Sequence, residues 1–281
     1  MALLQKAYLG STPLFTEKDW WEDESRLVLD TGSATATASA TVNTKGSWVQ
    51  LIASTSANSS LLSIDLSQIS VSNTGTATLL DIGTGASGSE TVLLSNIAAG
   101  SARSFITASS NNRLNFSVPV KIASGTRIAA RIQGERASQT AVIDVATVDA
   151  GDYATAPTAV DTYGGDTATS KGASFTGTSW TQVTASTSQA YRAIVAVPSM
   201  ATGGAKNNAT SYVFDIGVGA SGSEVAFGKV RCLGSNVECV EVLLPYATMF
   251  ARNIPSGSRL AIRSSTSQDI SMMGMTLIGI P

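Results

Sequence analysis

Asp81 and Glu90 bracket a loop of small residues, Asp81-Ile-Gly-Thr-Gly-Ala-Ser-Gly-Ser-Glu90, and the same ten positions return as Asp215-Ile-Gly-Val-Gly-Ala-Ser-Gly-Ser-Glu224. Three kinds of chemistry suit such a stretch. Two carboxylates across a loop can stand roughly 5–10 Å apart, the span used in glycoside hydrolysis. Two acids flanking a loop can hold a cation. Gly83, Gly85 and Gly88, like Gly217, Gly219 and Gly222, match Gly-x-Gly-x-x-Gly, which cradles a dinucleotide when a helix follows directly. Here Glu-Thr-Val-Leu-Leu and Glu-Val-Ala-Phe follow, and these favour strand. No aromatic platform for sugar accompanies the acids, and aromatics make up only 6% of the chain. The expectation is therefore a tight strand-to-strand connection in which the glycines supply positive φ. On that reading Asp81, Gly83, Gly85, Gly88 and Glu90, with Asp215, Gly217, Gly219, Gly222 and Glu224, form a repeated structural loop. The two acids then bond loop N–H groups or a neighbouring Arg.

The rest of the inventory narrows the choice. Histidine is absent, which removes Ser-His-Asp and Cys-His catalysis and His-ligated metals. Only Cys232 and Cys239 occur, so a Cys₄ zinc site is impossible. Their segment suggests a hairpin turning at Ser235-Asn236 with the thiols opposite each other, either as a disulfide or as free thiols in a reducing cytosol. The expectation is no catalytic site, no metal and no cofactor, hence not an enzyme. A net charge of −2 gives no footprint for nucleic acid. No apolar run approaches a membrane span, and the N-terminus lacks the pattern of a signal peptide. Neither nucleic acid nor membrane is an expected partner.

The elements that must hold these residues come from a duplication. Ser47-Trp48-Val-Gln50 matches Ser179-Trp180-Thr-Gln182, and Ile122-Ala-Ser-Gly-Thr-Arg127-Ile-Ala-Ala-Arg131 matches Ile254-Pro-Ser-Gly-Ser-Arg259-Leu-Ala-Ile-Arg263, both at an offset of 132; the Gly-rich loop recurs at 134. That period is far beyond a solenoid repeat, so each copy should be a domain with its own core. In copy one the patterning predicts strands near 46–53, 60–66, 76–82, 89–95, 103–107, 114–120, 126–133 and 140–148. The small-residue alternation of 31–45 suits either a linker or a strand near its end. In the strand after Arg127, Ile128, Ala130 and Ile132 share one face while Arg127, Ala129, Arg131 and Gln133 share the other. Those Arg either bind a ligand anion or pair with carboxylates such as Asp81 and Asp215. Trp48 and Trp180 are expected to seal an end of each sandwich. The fold expected is all-β: two tandem antiparallel β-sandwich, jelly-roll-like domains at 33–150 and 151–281, preceded by an extended N-terminal arm at 1–32.

The arm differs from the rest. Residues 15–24 hold five acids, one Lys and the adjacent Trp20 and Trp21. Such a run is usually a solvated acidic face. Trp is also a common interface anchor, so Phe15, Trp20 and Trp21 are expected to dock on their own domain or on another chain.

The combination Ser-Trp-x-Gln, Asp-Ile-Gly-x-Gly-Ala-Ser-Gly-Ser-Glu and Ile-x-Ser-Gly-Ser/Thr-Arg-Ile/Leu-Ala resembles structural proteins of tailed bacteriophages, over roughly residues 46–281. The resemblance implies a virion component, a capsid decoration protein or a fibre or collar part of head or tail. Its partners would be other virion proteins (capsid, portal/collar or tail), with further copies of itself in a homo-oligomer. It would be made in the host bacterial cytoplasm and located in the virion. The alternative is a carbohydrate-binding module that adheres to a host surface glycan.

Overall fold

The computed structural model describes residues 8–9, 12–13, 28–67, 76–101, 114–149, 153–170, 172–174, 177–200, 211–233, 247–265 and 273–281. Phe15, Trp20, Trp21, Cys239 and the strand expected at 103–107 lie outside the described residues. Within them the chain is built almost wholly of antiparallel strands.

Strands β1 (Tyr8–Leu9) and β2 (Thr12–Pro13) pair with each other, antiparallel. Copy one then supplies β3 (Asp30–Thr37), β4 (Val49–Ile52), β5 (Ser59–Ser67), β6 (Thr76–Thr84), β7 (Thr91–Ser101), β8 (Leu114–Ile122), β9 (Ile128–Gly134) and β10 (Thr140–Val148). They form two four-stranded sheets: a first in the order β3-β10-β5-β8, a second in the order β4-β9-β6-β7. Counted from β3, strands one, eight, three and six make one sheet and two, seven, four and five the other. This is the doubly wound Greek-key order of a jelly roll.

Copy two repeats it. β11 (Asp161–Tyr163) and β12 (Ala173–Ser174) together take the place of β3, with a short 3₁₀ turn (Ala168–Ser170) between them. There follow β13 (Thr181–Thr184), β14 (Tyr191–Met200), β15 (Ser211–Val218), β16 (Val225–Leu233), β17 (Thr248–Ile254), β18 (Leu260–Ser264) and β19 (Met273–Ile280). The third sheet runs β11-β19-β14-β17, with β12 also on β19, and the fourth runs β13-β18-β15-β16. Each sheet draws all its strands from one copy.

The cores follow from period-two patterning. In β8, Leu114, Phe116, Val118, Val120 and Ile122 are buried on every second position. With Leu62, Ile64, Leu66, Ile128, Ala130 and Ile132 they fill the space between the first two sheets. Tyr191, Ile194, Phe214, Ile216, Leu260, Ile262 and Leu277 do the same in copy two. Truncating one such fully buried Leu or Ile to Ala costs about 2–5 kcal/mol.

Two expectations need correction. The strand in the small-residue alternation lies at its beginning, from Asp30, because Thr31–Thr37 find β10 as a ladder partner. Trp48 and Trp180 do not close the ends of the sandwiches. Each lies on the outer face of its sheet, against Gly83 and Gly217 respectively.

Candidate functional site

Asp81 lies on β6 between Leu80 and Ile82, which point into the core, so its carboxylate emerges on the outer face of the second sheet. Period-two alternation puts Gly83 of the same strand and Arg131 of β9 on that face too. The register sets Asp81 directly opposite Arg131. Arg131 Nε donates to Asp81 Oδ2 at 2.9 Å, and Lys45 Nζ donates to the same oxygen at 2.5 Å. The N–H of Asn96 donates to Oδ1 at 2.9 Å. The Arg131 guanidinium also stands 4.4 Å from the centre of the Trp48 ring. Asp81 is only 1% exposed, so these partners replace water for a charge that could not otherwise be buried.

Copy two rebuilds this arrangement. Arg263 Nε donates to Asp215 Oδ2 at 2.9 Å and lies 4.4 Å from the centre of the Trp180 ring. The lysine arrives from elsewhere: Lys229 on β16 stands 3.2 Å from Asp215 Oδ1, whereas Lys45 precedes β4. Burial pushes the Asp215 carboxyl up, but hydrogen bonds from Ser265, Arg263 and Lys229 outweigh it and hold the group below its ordinary value.

A second ion pair closes each glycine loop. Arg127 NH1 donates to Glu90 Oε1 at 2.9 Å and to the carbonyl of Gly85 at 3.2 Å, while its Nε donates to Gln50 Oε1 at 3.1 Å. In copy two Arg259 bonds Glu224 at 2.6 Å, Gly219 at 3.3 Å and Gln182 at 2.9 Å. For Glu90 and Glu224 alike, burial raises the carboxyl, yet bonds from their own N–H, from the Arg and from the loop leave both below the ordinary range. Gly85 and Gly88 carry φ of 110° and 81°, and Gly219 and Gly222 carry 133° and 82°, which only glycine adopts without strain. Gly83 and Gly217 serve differently. A Cβ there would stand 2.8 Å and 2.6 Å from the rings of Trp48 and Trp180.

The repeated sequence motifs are thus one network. Ser-Trp-x-Gln supplies a ring and an amide, the Gly-rich loop two carboxylates and a bare backbone, and the Arg-rich strand two guanidiniums. β7 and β16 follow the glycines directly, so the helix a dinucleotide cradle requires is replaced by strand. Asp81 and Glu90 are held by different arginines, Arg131 and Arg127. Lys45 and Lys229 escaped the sequence reading because they occupy unmatched positions in the two copies. The sequence reading also missed Asp161, whose Oδ2 accepts from Tyr191 at 2.5 Å, Ser188 at 2.6 Å and Gln189 at 2.8 Å. Its counterpart Asp30 accepts from the Ser56 N–H at 2.9 Å. Among the described residues no cluster of three or more His, Cys, Asp or Glu side chains could hold a metal ion, and no helix is long and apolar enough to cross a membrane.

No protein-family model matches the sequence, and no curated protein matches it. Solved structures do. N-glycanase F (PNGase F) aligns over 89% of this chain and 96% of its own, at 10% identity and a TM-score of 0.38. The PBSX exported protein XepA aligns over 98% and 93%, at 11% identity and a TM-score of 0.25. The CBM22-1-CBM22-2 tandem domain of Paenibacillus barcinonensis Xyn10C aligns over 91% and 98%, at 6% identity and a TM-score of 0.25. The expectation that the chain is not an enzyme is corrected by this comparison, since an amidase stands among the structures that align along most of it. Likeness at this level names no reaction for this chain.

Proposed function

We propose that the chain is a structural component of a tailed-bacteriophage virion, a capsid decoration protein or a fibre or collar part of head or tail, that works by fitting against other virion proteins. The observation that carries this reading is the use made of the repeated residues. In both copies the Arg, Asp, Glu and Gln of the shared motifs tie the protein to itself. The repeated module therefore serves as a scaffold that presents surfaces. Jelly rolls recur in viral capsids and in lectins, and the fold alone chooses neither. The phage-like motif combination favours the first. On this reading residues 33–150 and 151–281 are two folding units, and Phe15, Trp20 and Trp21 of the arm, residues 1–32, are docking anchors. The protein is made in the host cytoplasm and ends in the particle. Mass spectrometry of purified particles of the encoding phage tests this. The expected result is the protein at stoichiometric level; its absence, or saturable binding to a glycan panel by a protein missing from the particle, would overturn it.

A further inference from the structure

Copy two shows how the outer face of a sheet of the first type can be covered. The third sheet turns Ala193, Val195, Val197, Ile278 and Ile280 away from the fourth, and they join the core of copy one. This face lies along β7. There the Ala98 N–H donates to Thr276 Oγ1 at 3.0 Å, and that hydroxyl donates to the Asn96 carbonyl at 3.3 Å.

The same face of the first sheet is polar. At the offset of 132, Ser63, Asp65 and Asp144 stand where Val195, Val197 and Thr276 stand in copy two. Asp65 and Asp144 are direct partners in the β5–β10 register, and Ser33 flanks Asp144 from β3. They floor an open groove of about 440 Å³. Like charges directly opposite each other weaken an antiparallel pair, and an approaching cation reverses the sign.

The other end of the chain carries such cations. β16 is the counterpart of β7: Val230 lies opposite Phe214 as Ile97 lies opposite Leu80. Arg231 therefore takes the place of Ala98, and Lys229 the place of the Ser95–Asn96 bulge. Both are exposed.

We propose that a second copy of this chain docks the outer face of its first sheet on β16, repeating between chains the contact that copy two makes on copy one. Asp144, in the position of Thr276, then accepts from the N–H and guanidinium of Arg231. The contact is head-to-tail, so it builds an open stack or a ring. Within the chain the contact has an extra fastening. The 3₁₀ turn inserted between β11 and β12 sets Ala168 beside Leu79 and Ala98, and Gln133 bonds its backbone. β3 is continuous and has no such insertion. Charge must hold the contact between chains, which makes it weaker in salt.

Sedimentation of the full chain over a concentration series tests this, with Asp144→Lys and Arg231→Glu as variants. The expected result is a mass that rises with concentration for the wild type, with an association constant about tenfold lower when salt is raised from about 50 mM to 500 mM. Each variant alone should stay a monomer, and a 1:1 mixture of the two should regain the concentration-dependent rise in mass, because each chain then meets a partner of opposite charge at both surfaces. If either variant unfolds by circular dichroism, Asp144→Asn and Arg231→Gln give the same reading. A wild type that is monomeric at about 100 µM in low salt, or variants that associate as the wild type does, would overturn the proposal. Either outcome leaves the virion reading standing, because that depends on the protein's presence in particles.

Discussion

The guanidinium of Arg131 lies over the ring of Trp48, 4.4 Å from its centre, and Arg263 repeats the distance over Trp180. Each also donates through Nε to a buried aspartate, so one planar group serves a ring and a carboxylate at once. Lysine cannot, because its ammonium is a point charge. Arg131→Lys should cost about 1–2 kcal/mol. Asp81→Ala should cost more, about 3 kcal/mol, because it leaves Arg131 and Lys45 without their counter-charge. Urea titration at constant slope measures both. Equal costs near zero would mean the network is ornamental.

Two glycines of the same loop are fixed by different physics, and mutation should separate them. Gly83→Ala meets the Trp48 ring at 2.8 Å and should cost about 1–3 kcal/mol. Adding Trp48→Leu should recover part of that loss. At Gly88 nothing stands within 4 Å, but φ is 81°. Gly88→Ala should cost about 1 kcal/mol and Gly88→Asn less, since Asn tolerates the left-handed region. Recovery of Gly88→Ala by Trp48→Leu would contradict this assignment.

Acid should act through the loop glutamates. The carboxyls of Glu90 and Glu224 titrate lower in the folded protein than in the unfolded chain. Their contribution is complete above the unfolded value, about 4.3, and is lost as pH falls through the folded value. Stability should therefore decline on acidification below about pH 4.5. Replacing both with Gln should flatten that decline. Thermal melts from pH 6 to about pH 3 report it; an unchanged slope would count against the pairing with Arg127 and Arg259.

Copy two is fastened to copy one through Gln133, whose amide donates to the Asp166 carbonyl at 3.1 Å and whose Oε1 accepts from Ala168 at 2.5 Å. Gln133→Ala should speed amide exchange over residues 164–170 at least about tenfold while leaving β14 and β19 protected. Uniform loss of protection would mean the contact is not local.

Much of this was legible beforehand, and the reasons are physical. Strands with one wet face alternate, so the strands now seen at 59–67, 114–122 and 140–148 lay within a few residues of expectation. The duplication made the loops, the Trp and the Arg pairs visible as a set. What stayed hidden were long-range relations that spacing does not encode. The position of Trp48 on a sheet face depends on a missing Cβ at Gly83, thirty-five residues away. Lys45, ahead of β4, and Lys229, on β16, perform one task from different places in the fold. The polar face around Asp65 and Asp144 acquires meaning only once its apolar counterpart at Val197 and Thr276 is seen docked.

On the function proposed above, two copies of one jelly roll serve a particle by fitting against its other proteins. A cryo-electron microscopy reconstruction of the phage particle tests it most directly. The expected result is repeated density on head, collar or tail into which four layered β-sheets fit, with Trp48 and Trp180 side chains on the outer faces of the second and fourth sheets. A particle whose density is fully explained by other chains would contradict it.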